Sequence, residues 1–289
     1  LDVIAEYGTD ALRFSLILGI SFGNDIRYIP AKVEQGANFA NKLWNASKFV
    51  LANIEDLEDG YSPAREDLPL GDRWILSKVN RLAKEMNTNI DNFDLGVATQ
   101  KIYDFTWNEF CDWYIEIAKT RLYDENCTTK KQAQYTLKTV LTYCLKMLHP
   151  IMPFVTERIY KELYGEDESI MISRYPEYRE EFNFEKEEET LKKLKEIIVG
   201  MRNIRSKMNV HPSKKTDLIF VTTEHVDAIE KSEYFIKKLG FGEKVKIQVN
   251  KEGISQNAVS ILTEGIEVFI PFEELVDLEE EKQRLLQEK

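Results

Sequence analysis

The stretch NFANKLWNASKFV, residues 38–50, decides the fold of this chain. Apolar residues recur every three or four positions through it and beyond it, which predicts one long amphipathic helix over residues 31–57. These apolar residues are Phe39, Leu43, Ala46, Val50, Ile54 and Leu57. A second face of the same helix carries Asn38, Lys42, Asn45 and Phe49, where an ordinary solvated face would carry Glu and Lys.

This second face has two interpretations. Amides can read base edges, a cation can meet a phosphate or a base acceptor, and an aromatic ring can stack on an unstacked base. The face therefore fits RNA recognition. In the alternative, the asparagines bridge to neighbouring helices and Phe49 is simply a core residue. The residues of the stretch leave both interpretations open.

The distribution of charge favours a local site for polyanions over a broadly basic protein. The net charge is −11 over 289 residues, yet two segments are basic. Residues 26–50 hold Arg27, Lys32, Lys42 and Lys48 against one acid, and residues 192–215 hold eight Lys or Arg against one acid. Affinity for phosphate depends on where the cations lie, so either segment could contact a nucleic acid.

The predicted helix 188–207, which carries most of the second basic segment, is ambiguous. Arg202 and Arg205 flank an apolar stripe that includes Ile197 and Met201. The arginines either contact phosphate or cover the edge of a core with long solvated side chains.

The sequence carries no pattern typical of catalysis, metal binding or membrane insertion. It has no Walker loop, no G-x-G-x-x-G and no G-x-S-x-G. Cys111, Cys127 and Cys144 lack metal-type spacing and fit reduced thiols. No apolar run is long enough to span a bilayer. We therefore expect no catalytic residue, no metal site and no cofactor in this chain, and a binding or scaffold role.

The order of periodic segments predicts a mainly α protein, an antiparallel helical bundle followed by a small α+β domain. We divide it into stem helices at 1–30, the bundle at 31–207, the α+β domain at 208–271 and the start of a coiled-coil arm at 272–289. The aromatic residues of the predicted helix 94–122 are assigned to the core. The chain begins at Leu1 inside a helical pattern and ends within the arm, so we expect it to be part of something longer.

Several segments, in order along the chain, resemble the class I aminoacyl-tRNA synthetases, and within them the valyl branch. They are LDVIAEYGTDALRF (1–14), NFANKLWNASKFV (38–50), DRWILSKVNRL (72–82), LHPIMPFVTERIY (148–160) and RNIRSKMNVHPSKK (202–215). The isoleucyl branch is an alternative, against which the NFANKLWNA pattern and the coiled-coil start both count. A helical protein-interaction scaffold without RNA binding is an alternative of a different class.

The resemblance implies an anticodon-binding bundle of the class I synthetase type. The whole enzyme would attach valine to the tRNA for valine using ATP and Mg²⁺, as a cytoplasmic monomer. Its catalytic and editing domains would lie outside this chain, so the chain alone is expected to be inactive.

The resemblance also implies that the second face of helix 31–57 meets the anticodon loop. Lys42 would make a polar contact to a base or phosphate, and Phe49 would stack. Further candidates for tRNA contact are Asn38, Asn41, Asn45, Lys32, Arg27, Arg202 and Arg205. Relatives can carry a basic residue near the position of Ala31, for which Lys32 or Arg27 could substitute. Asp10 and Arg13 are expected to hold the stem in place.

Overall fold

The structure, a computed structural model, describes residues 1–20, 23, 25–26 and 28–275. Contacts divide the chain into two compact units, Leu1–Phe184 and a second unit that begins at Glu185. The first unit is helical, and the second combines helices with a four-stranded sheet. The predicted fold class, mainly α with a small α+β part, is therefore confirmed.

The helical segments predicted at 31–57 and 94–122 are present in the first unit, together with further helices. They are α1 (Asp2–Tyr7), α2 (Thr9–Ile17), α3 (Pro30–Asn53), α4 (Leu70–Asp91), α5 (Leu95–Asp104), α6 (Ile115–Leu122), α7 (Lys130–Leu148) and α8 (Pro153–Tyr164). Short 3₁₀ turns occupy Arg65–Asp67, Ile170–Ile172 and Glu180–Phe182. Gly8 directly follows the end of α1. Pro153 is the first residue of α8, a position where its missing N–H group costs no helical hydrogen bond.

Helix α3 contains the stretch 38–50 and ends earlier than the periodicity suggests. Its apolar face is buried against neighbouring helices through Val33, Phe39, Leu43, Ala46 and Val50. Gln134 Nε2 donates to the carbonyl oxygen of Asn53 at 2.7 Å, which satisfies one of the carbonyl groups left free at the end of the helix. Ile54 and Leu57 follow the helix instead of extending it.

Helices α5 and α6 are joined without a break by a π-helical segment, Phe105–Tyr114, so residues 95–122 form one rod. Phe105, Phe110 and Tyr114 of this segment are buried, which agrees with their assignment to the core, whereas Trp113 is half-buried. Trp107 is only half-buried. The π-helical geometry itself was not visible in the sequence.

The stem helices are tied to the start of α8 by two charged side chains. Asp10 accepts hydrogen bonds from the backbone N–H groups of Phe154 and Val155, at 3.3 and 2.7 Å. These are orphan donors at a helix N-terminus, where a carboxylate is also favoured by the helix dipole. Arg13 donates to the carbonyl oxygens of Pro150 and Ile151. These contacts agree with the structural role expected for both residues.

A buried ion pair lies among the helices of the first unit. Arg121 donates to both carboxylate oxygens of Asp72, at 2.6 and 3.0 Å, and Tyr114 Oη donates to the same carboxylate at 2.8 Å. The guanidinium also reaches the backbone and side chain of Thr129. Asp72 is 0% exposed and Arg121 is 2% exposed, so the two opposite charges compensate each other away from solvent.

The second unit contains α9 (Glu185–Lys207), α10 (Val226–Gly240) and a four-stranded sheet. Its strands are β1 (Thr216–Val221), β2 (Gly242–Gln248), β3 (Val259–Thr263) and β4 (Ile266–Ile270), in the order β2-β1-β4-β3. Strands β1 and β2 are parallel, with α10 as the crossover, whereas β4 is antiparallel to both β1 and β3. In the central pair, Phe220 of β1 lies opposite Val268 of β4.

The boundary between the units differs from the one expected at residue 208. Helix α9 belongs with the sheet, because its buried residues pack against α10 and β3 within the second unit. These residues are Leu191, Leu194, Ile197, Ile198 and Met201. At the other end, a short helix α11 (Phe272–Leu275) begins the predicted arm. The remainder of that arm, 276–289, lies outside the described residues.

Candidate nucleic-acid interface

The second face of α3 carries Asn38, Lys42, Asn45 and Phe49, with Asn41 beside it. This polar face remains accessible to solvent. Asn38, Asn41 and Asn45 are all exposed, and their side chains make no hydrogen bond within the described part of the chain. They therefore do not bridge to neighbouring helices, which was the alternative interpretation of these residues. Each amide can offer both a donor and an acceptor to a ligand.

Lys42, in the middle of this face, already has two partners. Its Nζ lies 2.6 Å from Asp112 Oδ1 and 4.8 Å from the centroid of the Trp107 ring. The side chains of Lys42 and Asp112 are 33% and 46% exposed, so a ligand can reach both members of the pair. The ammonium group is thus held in one place by a carboxylate beside it and an aromatic face next to it.

The π-helical segment brings Trp107 and Asp112 to the same ammonium group. Residues five positions apart lie about 140° apart round an α-helix, so an α-helical reading would separate these two side chains. A π-helical turn bonds residue i to residue i+5 and brings such residues to one side. Neither residue was among the expected site residues, because the aromatic run was assigned to the core. The signal that could have found them is the spacing of Trp107 and Asp112, an indole and an acid five positions apart, which a π-helical turn brings to one side.

Phe49 lies on the same face of α3, two turns beyond Lys42. It is half-buried, and the Nζ of Lys119 lies 5.4 Å from the centroid of its ring. Lys119 also forms an ion pair with Glu116, at 2.6 Å. The ring is thus neither fully in the core nor fully free, and a base stacking on it would lie beside a cation.

The candidates near the start of α3 are less well placed. Lys32 Nζ donates to the carbonyl oxygen of Leu18, just after the end of α2, at 3.1 Å. Its positive charge thus lies at the C-terminal end of α2, where the helix dipole favours a cation. Ala31 is exposed and offers no polar group. Arg27, the other candidate for this contact, lies outside the described residues.

The two arginine candidates of α9 lie in the second unit, and Arg205 requires a correction. Arg205 is 3% exposed, donates to the carbonyl oxygens of His211 and Lys214, and stacks on the ring of Phe241. Its guanidinium holds the loop after α9 and is too buried for a surface contact, so Arg205 is not part of the proposed interface. Arg202 is exposed, and its Nε donates to the carbonyl oxygen of Leu239 at 2.9 Å.

Other chemistry in the described residues is sparse. The structure there contains no group of three or more His, Cys, Asp or Glu residues arranged to hold a metal ion. Burial raises the pKa of the Cys111 thiol to about 12, and burial also raises the pKa of the Cys144 thiol, so both stay protonated near neutral pH. None of the described helices has the length and apolar character needed to cross a bilayer.

Comparison with known families identifies the class of domain. A family described as "Anticodon-binding domain of tRNA ligase" matches residues 72–220, which is more than half of the chain. The chain therefore belongs to this family. The match begins at Asp72, so α3 and its polar face lie outside it.

The similar curated proteins are valine–tRNA ligases. The chain is 47% identical to the valine–tRNA ligase of Clostridium acetobutylicum, over 100% of this chain and 33% of that protein. It is 36% identical to the one of Carboxydothermus hydrogenoformans, over 100% of this chain and 33% of that protein. For that of Lactiplantibacillus plantarum the identity is 38%, over 99% and 32%. The chain spans about one third of the length of these relatives and matches their C-terminal part.

A solved structure also resembles the chain. It is a LeuRS of Agrobacterium radiobacter K84 in a ternary complex with tRNA and LeuAMS. The TM-score is 0.50 at 15% sequence identity, over 63% of this chain and 21% of that one. At this identity the likeness concerns the fold alone, and it agrees with the predicted class I synthetase type of helical domain.

Proposed function

We propose that this chain is the tRNA-binding part of a valine–tRNA ligase, and that α3 reads the anticodon loop. The observation that carries the proposal is the row of exposed asparagines on α3, flanked by Lys42 and Phe49, in a chain of the anticodon-binding family. In this proposal the whole enzyme attaches valine to its tRNA with ATP and Mg²⁺. ATP and Mg²⁺ bind outside this chain, and the chain alone does not catalyse the reaction.

The proposed reading follows from the chemistry of the side chains. Unpaired loop bases expose their Watson–Crick edges and their ring faces. The amides of Asn38, Asn41 and Asn45 can each donate to and accept from such an edge, Lys42 donates to a base acceptor, and Phe49 offers a stacking surface. Arg27, Lys32 and Arg202 remain secondary candidates for phosphate contact.

We also propose the organisation of the parent enzyme around this chain. The stem helices connect to the catalytic part, the helical unit to Phe184 binds the anticodon, and residues 185–271 form a small α+β domain followed by the arm. The enzyme acts as a cytoplasmic monomer. The similarity to valine–tRNA ligases favours valine over isoleucine as the amino acid.

The first prediction concerns the polar face of α3. Lys42→Ala and Phe49→Ala should each weaken binding of the tRNA for valine by roughly 1–3 kcal/mol, or about 5- to 150-fold, because each removes one contact to a base. The measurement is a gel shift or anisotropy titration with this tRNA and with an anticodon-altered version. Both variants should also reduce the preference for the unaltered anticodon.

Lys48→Ala is the matched control for Lys42→Ala. Lys48 is an exposed lysine on the same helix, about 120° round from Lys42. Its loss changes the net charge equally and leaves Asn38, Lys42, Asn45 and Phe49 in place. Equal losses for both lysine variants would mean that general charge, and not this face, binds RNA. A chain that binds neither tRNA at low or moderate salt would instead support the scaffold alternative.

A further inference from the structure

The pair formed by Lys42 and Asp112 leads to an inference that rests on the proposed function. A lysine that served only to hold phosphate would gain most from having no acid beside it. Here Asp112 lies 2.6 Å from the ammonium group, and both side chains are accessible from solvent. The site is therefore a close donor–acceptor pair and not an isolated cation.

The two kinds of group on an RNA respond differently to such a pair. A phosphate presents acceptors only and is negatively charged, so to reach Lys42 it must displace or approach Asp112 and is repelled by it. A base edge presents an acceptor next to an N–H donor. It can accept from Lys42 and donate to Asp112 at the same time, leaving both charges partnered.

The surroundings of the pair hold its geometry fixed. Trp107 supports the ammonium group at 4.8 Å from its ring centroid, and the π-helical segment fixes the spacing of Trp107 and Asp112. The carboxylate is thus positioned by the fold beside Lys42, with no need for a ligand to bring the two together.

We propose that Asp112 determines specificity at this site: it makes Lys42 a reader of base edges and rejects bare phosphate. The ligand class is an unstacked base that offers an acceptor beside a donor. Asp112 then contributes to discrimination in two ways, through a direct hydrogen bond from the base and through repulsion of the RNA backbone.

The test compares wild-type chain with Asp112→Asn, which keeps the shape of the side chain and removes its charge. The probes are an anticodon stem-loop RNA of the tRNA for valine and the same stem-loop with abasic loop nucleotides, which retains every phosphate. Asp112→Asn should bind the abasic stem-loop about 3- to 10-fold more tightly. Its salt dependence should steepen by about 0.7 in the log–log slope, which corresponds to one added phosphate contact.

The preference for the base-bearing stem-loop over the abasic one should accordingly fall by about 10-fold in Asp112→Asn, within the range of one bidentate base contact. Asp104→Asn is the matched control, since Asp104 is an exposed acid at the end of α5 that accepts a hydrogen bond from Gln100 and its loss changes the net charge equally. This control should leave the preference unchanged.

Adding Asp112→Asn to Lys42→Ala isolates the interaction between the two residues. In the Lys42→Ala background, Asp112→Asn should not steepen the salt dependence. The ammonium group that would become available to a phosphate on loss of the Asp112 charge is absent from this background. The proposal is overturned if Asp112→Asn weakens both stem-loops equally, as a purely structural residue would, or if it matches Asp104→Asn. If instead wild type and Lys42→Ala bind the base-bearing stem-loop alike, the proposed function of α3 is wrong, irrespective of Asp112.

Discussion

Asp72 shows how much a single side chain contributes inside the helical unit. It lies in the first turn of α4, where the helix dipole favours a carboxylate, and it compensates the buried charge of Arg121. Tyr114 donates to it as well, and burial raises the pKa of that phenol, which keeps the hydroxyl proton in place. Removing Asp72 would take away the carboxylate that accepts two hydrogen bonds from the buried guanidinium of Arg121.

We therefore expect Asp72→Ala to lower the free energy of unfolding by about 3–5 kcal/mol, the usual cost of breaking a buried ion pair from one side. Urea unfolding followed by circular dichroism measures it. Asp104→Ala, at an exposed position, should change stability by no more than about 0.5 kcal/mol. A loss below about 1 kcal/mol for Asp72→Ala would show that Arg121 finds water or another partner.

The residues of the interface could be predicted in part at this scale. The helical spacing of residues 38–50 was enough to place Asn38, Lys42, Asn45 and Phe49 on one side of α3. It could not reveal that Lys42 is paired, because its partner lies 70 positions later in the chain. Nor could it show that Arg205 is buried, since the loop that receives its guanidinium has no periodic signal.

The contact between α2 and α3 depends on the absence of a side chain. A Cβ atom at Gly36 would lie 2.7 Å from the carbonyl oxygen of Ala11, a backbone atom that cannot turn aside. Alanine in place of glycine inside a helix ordinarily gains about 1 kcal/mol. Overpacking against backbone costs about 1–3 kcal/mol, so the clash outweighs the gain.

Gly36→Ala should therefore destabilise the chain despite its better helix propensity. We expect a fall in the thermal midpoint, measured by calorimetry. The net loss for Gly36→Ala should be up to about 2 kcal/mol, whereas Ala40→Gly one turn further along α3 should lose about 1 kcal/mol through propensity alone, without a clash. If Gly36→Ala were as stable as wild type, α2 and α3 would be less closely packed than described.

Element positions followed well from the sequence, whereas helix type did not. Hydrophobic periodicity placed α3 and α9 within a few residues, because one face of each is buried and the other is not. The segment Phe105–Tyr114 is apolar on several sides, so its periodicity does not distinguish an α-helix from a π-helix. That distinction decides which side chains meet Lys42.

At the scale of the molecule, the division after Phe184 has a direct experimental consequence. A chain ending at residue 207 keeps α9 but loses α10 and β3, which cover its apolar stripe. It should expose Leu191, Leu194, Ile197, Ile198 and Met201. We expect it to bind the dye ANS and to elute as larger species in gel filtration.

A chain ending at residue 184 is the matched comparison. It should not bind ANS and should not elute as larger species. The opposite pattern, with a well-behaved chain 1–207 and an aggregating chain 1–184, would restore the boundary expected from the sequence. That expectation failed to use the stripe on α9 because periodicity shows that a face is apolar without showing which element covers it.

The strand order of the second unit has a consequence for how the chain folds. The first unit consists of helices, whose own backbone hydrogen bonds are local and form quickly. In the sheet, β1 pairs with β2 and with β4, and β4 is made about fifty residues after β1. During synthesis, β1 therefore lacks its antiparallel partner until β4 is made, and we expect one edge of β1 to stay unpaired through that interval.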